Sequence, residues 1–140
     1  MAGDFFRVCV CGSRTFANRD WLFHVLDTLD GRHHIYLIAT GDAAGADECA
    51  RAWARERGRR LDEFAADWRQ YGRSAGPRRN AMMLNAANPD VVVAFPGNGR
   101  GTWDTIGRAR ARGIMVLMAD TPDVVERIER MYAPAGLADA

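Results

Sequence analysis

Residues 95–102 read Phe-Pro-Gly-Asn-Gly-Arg-Gly-Thr, between the apolar run 90–94 and a helix-like stretch. Gly97, Gly99 and Gly101 let the backbone turn sharply and bring its N–H groups near a ligand. The following helix points the positive end of its dipole at the same spot, so the expected guest is an anion, phosphate first. Thr102 adds a hydroxyl donor. Two more glycine clusters carry similar chemistry: Gly12-Ser13-Arg14, and the segment from Thr40 to Asp47 that contains Gly41 and Gly45. One glycine turn is more often structural than functional. Three of them, with arginines and hydroxyls alongside, point to a ligand site.

The charged residues narrow that chemistry. All 19 basic residues are arginine, which removes Schiff-base and lysine general-base mechanisms and leaves guanidinium as the only basic side chain for a phosphate. Arg14 and Arg79 are the expected contacts, since a planar, permanently charged group suits bidentate recognition. Arg78 and Arg100 are evenly divided between ligand and surface. Arg51, Arg55, Arg108 and Arg112 lie at i, i+4 spacings and read as solvated helix stripes. Asp47 is expected either to cap a helix or to bind ribose hydroxyls. Trp68 and Tyr71, in a loop that could cover the site, offer aromatic faces to a base, and core packing is an equal alternative.

Other chemistries find no footing. Strand one is followed by a lone Gly12 instead of a dinucleotide fingerprint, and without lysine there is no phosphate-loop motif. His24, His33 and His34 have no acid or cysteine at ligand spacing, so neither a metal nor an organic cofactor is called for. With 18 acidic residues the net charge is +1, which disfavours non-specific binding to nucleic acid or anionic membranes. Cys9, Cys11 and Cys49 form no disulfide pattern and suit a reducing cytoplasm, with Cys9 and Cys11 read as small buried hydrophobes. No export signal or membrane-spanning run is expected.

The elements that must position these residues alternate. Short apolar runs at 7–11, 35–39, 90–95 and 114–119 read as strands, with a weaker one at 61–65. Helical periodicities cover 19–29 and 46–57, where Gly58 stops the helix. Others run from Pro77 to Asn88-Pro89, over about 102–112, and after Pro122. Near-continuous apolar strands alternating with helices imply a parallel sheet covered on both faces. The expected fold is a Rossmann-like three-layer α/β/α sandwich with strand order 3-2-1-4-5 and its ligand site at the carboxyl ends of strands one and four. By length the chain is one domain, 1–140, with a core over about 7–132 and a frayed 133–140.

Several of these motifs occur together in a known group of proteins. They are Gly12-Ser13-Arg14-Thr15-Phe16, Thr40 to Asp47, Ala66-Asp67-Trp68, Tyr71 to Asn80, and Phe95-Pro96-Gly97 with Gly101-Thr102. Over residues 7–119 the chain resembles the YspA-related branch of the SLOG superfamily. That superfamily unites the LOG phosphoribohydrolases with DNA-processing protein A and with nucleotide-ligand sensors. The resemblance implies binding of a nucleotide-derived ligand, by Gly12, Ser13, Arg14, Gly41, Gly45, Asp47, Arg79, Gly97, Gly99, Gly101 and Thr102.

It implies catalysis less firmly. The LOG enzymes carry Pro-Gly-Gly-x-Gly-Thr-x-x-Glu and Arg-Lys-x-x-Met, to which Pro96-Gly97, Gly101-Thr102, Arg79 and Met83 correspond. The glutamate position falls on Thr105. Asp104 is one residue earlier and turned about 100° around a helix, and the loop is one residue longer. If the chain is a phosphoribohydrolase cleaving the N-glycosidic bond of a nucleoside 5′-monophosphate, Asp104 and Arg79 are its candidate catalytic residues. A single-stranded DNA-binding module ranks third. Ala81-Met82-Met83 and Ala86-Ala87 give one helix a broad apolar surface, and LOG-like relatives are commonly dimers, so a homodimer is expected.

Overall fold

The computed structural model describes residues 5–132. The expectation that 133–140 is frayed lies outside them. In chain order the elements are β1 (Phe6–Gly12), α1 (Arg19–Arg32), β2 (Ile35–Gly41), α2 (Ala46–Arg57), β3 (Arg60–Phe64), α3 (Trp68–Tyr71), α4 (Ala75–Ala87), β4 (Val91–Phe95), α5 (Arg100–Ala111), β5 (Met115–Met118) and α6 (Asp123–Met131). A single 3₁₀ turn, Gly72–Ser74, joins α3 to α4.

All strand pairs are parallel, and the sheet order is β3-β2-β1-β4-β5. The α/β sandwich and its strand order are those expected from the sequence. Side-chain alternation along each strand divides the core in two. Val8, Val10, Ile38, Val91, Val93 and Leu117 face the layer of α1, α2 and α6. Cys9, Cys11, Ala39, Val92, Ala94 and Val116 face α4 and α5. Cys9 and Cys11 are therefore core residues of the α4–α5 side, as their two-residue spacing suggested.

Helix ends follow local rules. Gly58 caps α2 in the left-handed conformation, φ 68°. Asn88 does the same for α4 at φ 45°, with Pro89 next to prevent continuation. Two starts differ from expectation. α4 begins at Ala75, which leaves Pro77 inside its first turn, and α5 begins at Arg100, two residues before Thr102. Pro77 lacks an N–H that a first turn would leave unpaired anyway, so the earlier start costs no hydrogen bond. No helix among the described residues is long and apolar enough to cross a membrane.

Candidate functional site

The carboxyl ends of β1, β2 and β4 open on a cleft of about 820 Å³, walled by the turn after β1, the β2–α2 loop, α3, the first turns of α4, and the start of α5. Its position at the β1/β4 switch point follows from the strand order, because the crossovers leave in opposite directions there.

The floor is built by close backbone approach. Ser13 N donates to Phe95 O at 2.9 Å, and Ala46 N donates to Ser13 O at 3.1 Å, so three loops are tied together at one residue. Gly45 is needed for this: at φ +76° a Cβ would lie 2.2 Å from Ser13 O. A Cβ at Gly97 would lie 2.7 Å from the Ser13 side chain. Neither Gly45 nor Gly97 is a wall of the cleft; both let the walls meet.

The start of α5 is open to the cleft. Gly99 is its N-cap residue and offers no side-chain cap. Arg100, Gly101 and Thr102 form the first turn and line the cleft, and the first N–H groups of a helix have no partner within it. The start of α2 contrasts with it, because Ala46 N is satisfied by Ser13 O.

Four arginines line the cleft: Arg14, Arg73, Arg79 and Arg100. Arg79 is the most enclosed, its side chain 12% exposed. Its Nε donates to Asn80 Oδ1 at 2.9 Å, and Nη1 donates to Phe64 O at 3.1 Å and reaches Asp42 Oδ1 at 3.5 Å. Arg14 lies over the Trp68 ring, 5.8 Å from its centroid. Arg78 instead covers Tyr71, at 4.4 Å, and neither lines the cleft. Of the two aromatic candidates, only Trp68 faces the cavity. Tyr71 is held outside the cleft under the Arg78 guanidinium, which gives its ring face a cation instead of a base.

Two carboxylates remain. Asp47 is buried, with Oδ1 accepting from Thr40 Oγ1 at 3.1 Å and Oδ2 from Ala43 N at 3.3 Å. It stabilises the preceding loop and caps no helix. Burial pushes its pKa above the ordinary 3.8, against the pull of the Thr40 hydroxyl and of Arg79. Asp104 lines the cleft, and its Oδ2 accepts from Asn80 Nδ2 at 3.0 Å and Arg108 Nε at 2.8 Å. Thr105, at the position of the LOG glutamate, is buried and donates to Gly101 O at 3.3 Å. Cys11 also borders the cleft, but burial raises its pKa, and that of Cys9 to about 12, so both stay protonated and unreactive.

Against this geometry, the model of the YspA, cpYpsA-related SLOG family matches residues 6–71. The "Gene 61 protein" of Mycobacterium phage D29 is 35% identical over 118 residues, 79% of this chain and 94% of that protein. The chain belongs to the YspA-related SLOG family. DNA processing protein A from Streptococcus pneumoniae shares the fold, with TM-score 0.64 and 18% identity over 94% of this chain. The chain spans 58% of that protein's length, and at such identity the likeness is one of fold alone.

Within this SLOG chain, Gly12, Ser13, Arg14, Gly41, Asp47, Trp68, Arg79, Gly99, Gly101, Thr102 and Asp104 line one cleft, while Gly45, Tyr71 and Gly97 do not. Two residues escaped the sequence reading. Asn80 is 3% exposed and joins Arg79 to Asp104 and to Gly101 O, at 3.3 Å. Arg51 is a correction: its side chain is only 14% exposed, and Nη1 donates to Gly41 O at 3.0 Å and Ala43 O at 3.1 Å. It holds the glycine loop instead of lying in a solvated stripe. The i, i+4 spacing of Arg51 and Arg55 concealed that only Arg55 faces water.

Proposed function

We propose that this SLOG chain binds a nucleotide or nucleotide-derived phosphate ligand in the cleft at the carboxyl rim of its sheet. The observation that carries this reading is the uncapped first turn of α5 opening into a cavity with four arginines. In that reading phosphate oxygens accept from the N–H groups of residues 100–102 and the Thr102 hydroxyl, while Arg14 and Arg79 neutralise the charge. Gly12, Ser13 and Gly41 give close backbone approach. Asp47 and Trp68 border the part that would take sugar and base. A helix start contributes about 0.3–2 kcal/mol and each charged hydrogen bond about 1.5–3 kcal/mol, so micromolar affinity needs no metal.

Calorimetry against nucleoside mono- and diphosphates and ADP-ribose tests it. Heat that disappears in Arg79→Ala supports the site, and no heat with any of them removes the reading.

A second reading is N-glycosidic hydrolysis of a nucleoside 5′-monophosphate, favoured by Asp104 standing in the cleft wall beside Thr105. There a carboxylate would stabilise positive charge developing on the ribose. Base release, followed by chromatography, should then vanish in Asp104→Asn; unchanged turnover in that variant takes Asp104 out of the mechanism. The half-exposed Met82 on α4 and Trp103 on α5 support the homodimer reading, which sedimentation of the wild type and Met82→Glu would test. A shift assay with single-stranded DNA at physiological salt tests the nucleic-acid alternative.

A further inference from the structure

The five-stranded sheet has two edges, β3 and β5, and they differ in chemistry. The β3 edge is charged. Arg60 pairs with Asp62, and Glu63 with Arg51 and Arg55 of α2, and such charges blunt an edge against further pairing. The β5 edge carries none. From 113 to 119 the chain reads Gly-Ile-Met-Val-Leu-Met-Ala, and Met115 is 44% exposed.

Backbone parity decides what that edge offers. Ala119 N donates to Ala94 O at 2.8 Å, and in a parallel ladder every second residue turns its N–H and C=O to the same neighbour. Met115, Leu117 and Ala119 are therefore committed to β4, while Val116 and Met118 point theirs away from the sheet. Among the described residues β4 is the only strand paired with β5. Such a row of unpaired groups is a template for another strand.

The flanks of the apolar run are complementary in charge. Exposed Arg112 precedes it and exposed Asp120 follows it, and neither has an ion-pair partner among the described residues. A strand that meets its own copy across a two-fold axis runs antiparallel to it. The start of each then lies beside the end of the other, which brings Arg112 towards Asp120 of the partner subunit.

Resting on the homodimer reading above but moving its contact, we propose that two copies of this chain join edge to edge at β5, across a two-fold axis at Leu117. Val116 exchanges both backbone bonds with the partner's Met118, and Met118 with the partner's Val116. Met115 packs beside Ala119 of the partner subunit, and Arg112 pairs with the partner's Asp120. The two sheets become one, with the clefts opening at its opposite rims.

Sedimentation velocity of the full chain over a range of concentrations tests this. The wild type should form a dimer. Arg112→Asp and Asp120→Arg should each weaken it about tenfold or more, since each sets like charges together, and the double variant should restore it. Met118→Pro removes an outward N–H and should abolish the dimer while the circular dichroism stays that of the wild type. Met82→Glu should leave the dimer intact. A dimer that survives the single charge reversals, or that the double variant does not restore, overturns the β5 interface. Loss in Met82→Glu alone also overturns it and leaves the homodimer reading with its contact on α4. A wild type that is monomeric at every concentration removes both.

Discussion

Asn80 Nδ2 lies 3.0 Å from Asp104 Oδ2, across the gap between α4 and α5. Its Oδ1 accepts from Arg79 Nε on the other side, at 2.9 Å. The amide therefore has one orientation that satisfies both neighbours: oxygen toward the cation, nitrogen toward the carboxylate. Asn80→Leu keeps approximate bulk but strips three buried partners at once. It should cost about 1–3 kcal/mol in denaturant unfolding and also weaken nucleotide binding, because Arg79 and the start of α5 lose their common tether. A variant as stable as wild type would show that the tether contributes nothing.

Gly99 offers a test that separates stability from binding. Nothing surrounds its Cβ position, and its φ of −76° is open to any residue. Gly99→Asp places a carboxylate at the start of α5, where it can accept from the free N–H groups and meet the dipole. Stability should rise by a few tenths to about 1 kcal/mol, while phosphate affinity drops tenfold or more because the site is already filled with negative charge. Tighter nucleotide binding in this variant would place the ligand elsewhere.

Two glycines should respond in opposite directions. Gly45→Ala forces a Cβ against Ser13 O at a backbone angle L-residues rarely adopt, and should destabilise by at least about 2 kcal/mol. Gly107, exposed within α5, has nothing within 4 Å of a built Cβ. Gly107→Ala should stabilise by about 0.5–1 kcal/mol. Thermal melts of both report the difference directly.

The buried Asp47 should be visible in the pH dependence of stability. Burial holds its folded pKa above 3.8, so the native state keeps a proton that the unfolded chain has released. Stability from this group therefore falls as pH rises from 3.8 through the raised value. Asp27 acts on the other side: Arg57 lowers its pKa, so its contribution is present above 3.8 and lost as pH falls through the lowered value. Denaturation of wild type and Asp47→Asn, stepped between about pH 4 and 7, should show a declining limb only in the wild type. Parallel curves would remove Asp47 as its source.

Much of this was readable beforehand where one local rule dominated. Val91–Phe95 is apolar without interruption and buried throughout, the pattern of a strand covered on both faces, and the alternation of such strands with helices led to the Rossmann-like order that the sheet has. The start of α5 was displaced because Gly99-Arg100-Gly101 has loop composition, while the helix needs only that no side chain oppose its first turn. Trp68–Tyr71 and Gly72–Ser74 are too short to leave a periodicity. Asn80 carries no sequence signal of its role, since its partner Asp104 lies 24 residues away along the chain. Arg51 was misread for a related reason: its partners, the carbonyls of Gly41 and Ala43, leave no side-chain signature in the sequence.

The bond from Ser13 N to Phe95 O, with Gly97 pressed against Ser13, ties the ends of β1 and β4 together beneath the cleft. The cleft lies above that tie, and the four tryptophans form an unequal set of optical reporters for it. Trp68 stands in the cleft wall and Trp103 donates to Gly97 O at 3.4 Å, whereas Trp21 and Trp53 belong to the opposite layer. Occupancy should alter the emission of the first pair and leave the second pair dark to it, so Trp68→Phe and Trp103→Phe would silence a titration that the unmodified chain reports without any added dye.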